Sequence, residues 1–264
     1  MKGRIKDKHR ERLDYEEAKV EKRDRMLIKD KTSDREVLEE VFDSRTLMTI
    51  YDLINRGVIS EVIGVVKAGK ESRLYWGKDP NGGDLAIKIY LTTSAEFRRG
   101  MLPYIEGDPR FKRIRRDTYS LVCAWAQKEF KNLKLAYESG VRVPEPVAVS
   151  GNVLVMKFIG HEGVSAPLLK DVELKKPKKI YKKILDNVKK LYKCGLIHSD
   201  LSEYNVMVLD SEVILFDMSQ SVPLEHPMAE KFLMRDIENL LRFFSKLGLK
   251  LPEPDLVIEE IVKK

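Results

Sequence analysis

The stretch Leu196-Ile-His198-Ser-Asp200-Leu-Ser-Glu-Tyr-Asn205-Val-Met-Val208, followed by Val213-Ile-Leu-Phe-Asp217, decides how the chain is read. An aspartate precedes an asparagine by five positions, and a second aspartate closes a short apolar strand just downstream. Phosphoryl transfer gives this spacing a reason. Asp200 is placed to orient an attacking hydroxyl or to accept its proton, and Asn205 and Asp217 offer hard oxygen ligands to Mg²⁺ (or Mn²⁺) between nucleotide phosphates. His198 braces the loop. A polar turn between two strands is the plainer reading, and it must also account for the residues upstream.

Upstream, Lys88 sits among apolar neighbours in Leu85-Ala-Ile-Lys-Ile-Tyr90, the setting of a strand lysine that touches α- and β-phosphates. Its expected counterpart is an acid on the following helix. Glu129 in Ala126-Gln-Lys-Glu-Phe-Lys-Asn-Leu133 is the best placed, flanked by Trp125, Phe130 and Leu133. A solvated lysine and a solvated glutamate are the bland alternatives. Gly64-Val-Val-Lys-Ala-Gly-Lys-Glu-Ser72 lies between two strands, where backbone N–H groups and lysines can cradle phosphates. Lys67, Gly69, Lys70 and Ser72 are its candidate ATP contacts, although the loop is neither a Walker A sequence nor a complete G-x-G-x-x-G. The strand Leu154-Val-Met-Lys-Phe-Ile, closed by Gly160, reads as a link between two lobes. Met156 falls at the back of a purine pocket, with Lys157 and Phe158 supplying main-chain polar groups.

Around these motifs the period of the sequence changes. Residues 1–32 mix both charges with few apolar anchors and read as a disordered tail or a solvated helix. Ser33 or Asp34 can cap a helix carrying Val37, Leu38, Val41 and Phe42, and a second helix runs through Leu47, Ile50, Leu53 and Ile54 to Gly57. Strands are expected over Val58–Val66, Ser72–Trp76 and Asp84–Tyr90, with Asp79-Pro-Asn-Gly-Gly83 as a hairpin turn. Thr92–Thr118 is polar and rich in arginine (Arg98, Arg99, Arg110, Arg113, Arg115, Arg116) and reads as a functional or mobile insertion. A helix over Tyr119–Ser139, an amphipathic helix over Ile180–Cys194, strands near Asn205–Leu209 and Val213–Phe216, and a terminal helix pair complete the chain. The expected architecture is α+β and two-lobed, protein-kinase-like, with an antiparallel sheet in the N-lobe (about 58–156), a hinge (157–160) and a reduced, mainly helical C-lobe (161–264). Residues 1–46 form a charged N-terminal extension with helix, and 47–264 the catalytic domain.

Composition narrows the classes further. The 264 residues suffice for one substantial core, and 49 Lys+Arg against 42 Asp+Glu give a net charge of +7, which tolerates polyanionic partners without requiring them. No apolar run is long enough for a membrane span and the N-terminus lacks a signal core, so a cytoplasmic protein is expected. Cys123 and Cys194 are far apart and outside any CxxC spacing, which speaks against a disulfide framework or zinc site.

Together these residues resemble the RIO family of atypical serine/threonine protein kinases, and within it the first, archaeal-type subfamily, over roughly 47–250. Lys67-Ala-Gly-Lys-Glu-Ser72 is close to that subfamily's S-T-G-K-E-A loop. Ile197–Asn205, Phe216-Asp-Met-Ser-Gln-Ser-Val222, His226-Pro-Met-Ala-Glu230 and Phe232-Leu-Met-Arg-Asp-Ile237 follow in order. The resemblance implies that Asp200 is the catalytic aspartate, Asn205 and Asp217 the metal ligands and Lys88 the phosphate-contacting lysine. It also implies that Asp217 can itself accept the phosphoryl group, and that the role lies in maturation of the small ribosomal subunit, with preribosomal RNA or a protein substrate as partner.

Lys67-Ala68 replaces the subfamily's Ser-Thr, and no A-P-E segment follows Asp217-Met-Ser, so a peptide groove is not expected. Ser94, Thr118 and Ser120 are candidate self-phosphorylation sites. The competing readings are a small-molecule kinase of the aminoglycoside or choline type and an inert RNA-binding scaffold with a kinase fold. Intact Lys88, Asp200, Asn205 and Asp217 argue against the scaffold.

Overall fold

The computed structural model describes residues 42–92, 95–112, 114–115 and 117–263, over 95–99 as backbone alone. The expected charged tail, the helix at Ser33 or Asp34, and Ser94, Arg113 and Arg116 lie outside the described residues, as do the side chains of Arg98 and Arg99.

Helix α1 (Ser44–Asn55) starts after Asp43, whose backbone is extended and whose carboxylate accepts the N–H groups of Arg45 and Thr46, both at 3.1 Å, which would otherwise lack partners. Ile50 and Leu53, three positions apart, face one way and are fully buried against the sheet. That sheet has the order β1-β2-β3-β5-β4, formed by β1 (Glu61–Ala68), β2 (Ser72–Lys78), β3 (Asp84–Tyr90), β4 (Pro146–Ser150) and β5 (Val153–Lys157), every pair antiparallel. β1 begins three residues later than the sequence pattern suggests. Val58 and Ile59 are held at the end of α1, both N–H groups donating to Leu53 O, and Ile59 is buried beneath the helix.

Period-two alternation gives β3 two different faces. Leu85, Ile87 and Ile89 join Ile50, Leu53, Tyr75, Val153 and Val155 in a cluster under α1. Ala86 and Tyr90, on the opposite face, belong to the main core, which runs continuously into the C-terminal half. Lys88 shares that second face.

The described part of the insertion after β3 holds regular structure. It contains α2 (Ala95–Ile105) and a 3₁₀ turn at Pro109–Phe111. Met101 and Tyr104 are buried, and the Tyr104 ring stacks on Phe232 at 5.1 Å. Helix α3 (Thr118–Glu138) packs on β4 and β5. β6 (Gly160–His161) and β7 (Val164–Ser165) form a small hairpin beyond β5. The remaining half is helical around short strands: α4 (Pro177–Lys193), β8 (Leu196–Ile197), β9 (Val206–Leu209), β10 (Glu212–Leu215), β11 (Val222–Pro223), α5 (Ala229–Lys246) and α6 (Pro254–Val262). This is the expected α+β, kinase-like architecture. No helix among the described residues is long and apolar enough to cross a membrane.

Candidate active site

Lys88 is carried into a cleft by the central strand of the sheet and is 9% exposed. Its Nζ lies 3.0 Å from Glu129 Oε1 on α3 and 2.9 Å from Asp217 Oδ1, just beyond β10. Burial works against its charge, yet the carboxylates of Asp217 and Glu129 hold its pKa well above the usual lysine value. Glu129 is 1% exposed and its pKa is raised by that burial, with Lys88 pulling the other way. The Tyr90 hydroxyl donates to its second oxygen. Asp217 is also buried at its base, but the ammonium of Lys88 and the Ser219 hydroxyl, at 2.8 Å, bring its pKa down to about 2. It is ionised at any physiological pH.

The loop from His198 to Asn205 is fixed from below by α5. Asp236, 1% exposed, accepts the N–H groups of Ser199 and Leu201, both at 2.8 Å, and Asn239 Nδ2 donates to Leu201 O at 3.1 Å. Arg235 donates to Ser199 O and, at 3.3 Å, to the Tyr104 hydroxyl. Ser199 itself has φ +67°, a left-handed conformation that its neighbours must enforce. Burial lowers the His198 pKa to about 4, so its ring is neutral, and Nε2–H donates to Phe216 O at 3.0 Å. Asp200 points outward from this frame. Burial, then the field of Asp217, raises its pKa to about 6. Asn205 Nδ2 donates to both Asp200 O and Asp200 Oδ2 at 2.8 Å.

These contacts leave Asn205 Oδ1 and Asp217 Oδ2 without a hydrogen bond among the described residues. A neutral amide oxygen and a carboxylate oxygen fit Mg²⁺, which takes one or two protein oxygens and completes its shell with phosphates and water. Among the described residues no group of three His, Cys, Asp or Glu could hold an ion by itself. A pair of this kind would leave the rest of the shell to phosphate oxygens and water.

A cavity of about 290 Å³ opens from Lys88 and Asp217 along the sheet. Leu74, Ala86, Met156, Ile159, Met207 and Phe216 give it an apolar end, and Lys67, Gly69, Lys70 and Ser72 lie over it at the β1–β2 turn. The fold thus brings Lys67, Gly69, Lys70, Ser72, Lys88, Glu129, Met156, Lys157, Phe158 and Asp217 to one cavity, with Asp200 and Asn205 beside its polar end. One detail differs from the expected arrangement. The main-chain N–H of Lys157 donates to Glu145 O at 2.8 Å and that of Phe158 to Asp84 O at 3.1 Å, so neither is available to a base. The Ile159 N–H, which no described residue accepts, is the free donor at that edge.

Several residues of the site lie inside the quoted stretches without a role assigned from the sequence. Glu71 lines the cavity, its pKa raised by burial and by Asp217. Lys128 is buried, donates to Ser219 O at 2.8 Å and lies 4.3 Å from the Trp125 ring centroid; burial lowers its pKa to about 7. Asn132 Nδ2 reaches Met218 O at 2.9 Å and Ser221 O at 3.0 Å. A usable signal existed for Asp236 and Lys128. Each is a charged residue inside the buried stripe of an amphipathic helix, Asp236 beside Phe232, Ile237 and Leu240, and Lys128 beside Trp125 and Asn132.

Comparison with known proteins agrees with the geometry. The family model described as the RIO domain matches residues 73–256. The chain is 40% identical over 224 residues to the RIO-type serine/threonine-protein kinase Rio1 of Haloferax volcanii, covering 85% of this chain and 77% of that protein. To the corresponding Rio1 protein of Methanocaldococcus jannaschii it is 38% identical over 234 residues, covering 88% and 78%. The crystal structure of the Chaetomium thermophilum Rio2 kinase in its ADP/Mg²⁺-phosphoaspartate complex is similar with a TM-score of 0.63 and 25% identity, over 83% of this chain and 67% of that one.

Proposed function

The chain belongs to the RIO family of serine/threonine-protein kinases, and on that premise we propose that it transfers the γ-phosphate of ATP to a serine hydroxyl at the cleft between Lys88 and Asp200. The observation that carries this is Lys88 Nζ held between Glu129 at 3.0 Å and Asp217 at 2.9 Å, beside the Asp200–Asn205 pair. A lysine so placed is a fixed positive charge for α- and β-phosphate oxygens. The apolar end of the cavity takes the adenine, with Met156 behind it and Ile159 N–H at its edge. Asn205 Oδ1 and Asp217 would hold Mg²⁺, which supplies charge neutralisation between the phosphates. Asp200 accepts the proton of the incoming hydroxyl; a carboxylate with a pKa near 6 is mostly ionised at neutral pH and still basic enough for the task.

A second outcome of the same binding mode is supported by Asp217. Its carboxylate is ionised and keeps 39% of its side-chain surface open at the cavity. Attack of its free oxygen on the γ-phosphorus forms an acyl-phosphate bond and breaks the β–γ bridge. ADP leaves with the electron pair, and water then releases phosphate. The Rio2 structure named above holds a phosphoaspartate, which supports this route. The place of action that fits the family resemblance is the small-subunit preribosome in the cytoplasm.

Radiolabelled ATP tests the proposal. Asp200→Ala is expected to abolish phosphoserine formation and Asp217→Ala to abolish Mg²⁺-dependent turnover. Unchanged ³²P transfer in both variants would sink it. Turnover measured with and without preribosomal particles separates kinase from ATPase.

A further inference from the structure

The positive charge of the chain is concentrated in one place. Residues 175–193 carry nine lysines against a single acid, Asp186, an excess larger than the +7 of the whole protein. The motifs above use none of them, and none lines the nucleotide cavity.

Helix α4 explains their arrangement. Ile180, Tyr181, Ile184, Leu185, Val188 and Leu191 are buried on one side. At about 100° per residue, Lys178, Lys182, Lys189 and Lys193 fall within an arc of about 60° on the other side. A second row of Lys179, Lys183 and Lys190 runs alongside. Lys183 is paired with Glu212, and Lys189 with Glu260 at 2.6 Å, so these two belong to the fold. Lys178, Lys179, Lys182 and Lys193 are exposed, and no described carboxylate lies within ion-pair distance of them. From Lys178 to Lys193 the row spans about 22 Å.

We infer that this face of α4 is a docking surface for the phosphate backbone of double-stranded RNA. Three unpaired like charges on one exposed helix face, Lys178, Lys182 and Lys193, with Asp186 the one acid beside them, cost stability that a polyanion relieves. The surface has the chemistry of phosphate contacts: compact, hydrated point charges in a row, with no guanidinium fork to read bases and no exposed aromatic on α4 to stack them. A membrane surface would want apolar side chains among the lysines, and those of α4 all face inward. A protein partner would want an aromatic or arginine anchor, and lysine is depleted at such interfaces. The choice of RNA over DNA rests on the preribosomal reading above; the surface itself does not.

Binding of the full chain to a fluorescent 20-base-pair RNA duplex, titrated across salt concentrations, tests the inference. The triple substitution Lys178→Gln, Lys182→Gln, Lys193→Gln is expected to weaken binding at least about tenfold at low salt and to flatten the salt slope by about 2–3. Lys2→Gln, Arg4→Gln, Lys6→Gln in the terminal segment leaves both nearly unchanged. ATP turnover of the α4 variant stays at the wild-type level and serves, with its circular dichroism, as the control for folding. Wild-type affinity and slope in the α4 variant overturn the inference, as does an unmodified chain that binds no duplex. Stronger α4-dependent binding to polyglutamate or to anionic vesicles than to the duplex overturns the choice of occupant, and an equal response to a DNA duplex overturns the choice of RNA. Loss of turnover in Asp200→Ala with duplex binding intact separates this surface from the catalytic proposal.

Discussion

Removing the Asp236 carboxylate should damage catalysis without touching the nucleotide cavity. Asp236 lies on α5 and accepts two backbone N–H groups, of Ser199 and Leu201, that are themselves 0% exposed. Asp236→Ala strands both donors, at about 1–3 kcal/mol each. Part of that is returned because burial already disfavours the charge, holding the Asp236 pKa up to about 7. The net expectation is a loss of about 2–4 kcal/mol in urea unfolding. Asp236→Asn keeps one acceptor and turns an NH₂ towards the other donor, a loss of about 1–3 kcal/mol. The larger effect is on position. Ser199 sits at φ +67° only while its N–H and carbonyl are both held, and Asp200 follows it directly. A displacement of about 1 Å at Asp200 costs on the order of 10²-fold in kcat. The KM for ATP stays within about twofold, because Asp236 makes no contact with the cavity. A folded Asp236→Ala protein with kcat within twofold of wild type would show that Arg235 and Asn239 hold the loop unaided, and the reasoning would fail.

Arg110→Ala is expected to destabilise the fold by about 3 kcal/mol, since it leaves the fully buried Asp108 carboxylate unpaired; adding Asp108→Asn recovers part of it, and urea midpoints of the three proteins decide. Lys128 gives a pH signature. Its folded-state pKa of about 7 lies below the ordinary lysine value of 10.5, so between those pH values the unfolded chain binds more protons and stability rises with pH. Lys128→Met should flatten this rise, and identical pH slopes of the urea midpoint in both proteins would refute it.

The sheet and its lysine were legible because strands announce themselves by alternation, and Lys88 is the one charge within Leu85–Tyr90, a run apolar on both faces. Glu129 followed from helix register and apolar neighbours. The ordered insertion was not legible. Gly100, Pro103 and the arginines weaken any local helix signal, and what fixes α2 is Tyr104 packed on Phe232 and edge-on to Trp125 at 6.4 Å, partners far away in sequence. The arginine run reads as one basic feature, yet Arg110 is committed to Asp108 and to Asn132 Oδ1 at 2.7 Å. The commitment of the Lys157 and Phe158 N–H groups was equally hidden, because it depends on where Glu145 and Asp84 arrive.

These hidden contacts converge on one loop. Arg110 fixes Asn132, Asn132 holds the carbonyls of Met218 and Ser221, Lys128 holds that of Ser219, and the Ser221 hydroxyl returns to His198 O at 3.0 Å. The segment after Asp217 is therefore tied to α3, to the insertion and to the loop bearing Asp200. Phosphoryl transfer needs a Lys–Glu pair and a metal-holding aspartate in place together, and Lys88 already joins Glu129 to Asp217, the residue proposed for that role. The contacts that hold α3 and the 218–221 segment in the arrangement the proposed reaction needs are already made. The proposed reaction would have Lys88 exchange part of its contact with Asp217 for phosphate oxygens, leaving that carboxylate to face Mg²⁺. The Ser219 hydroxyl holds Asp217 at 2.8 Å with no nucleotide present, and the insertion that supports the 218–221 segment through Arg110 and Asn132 is a structural part of the site.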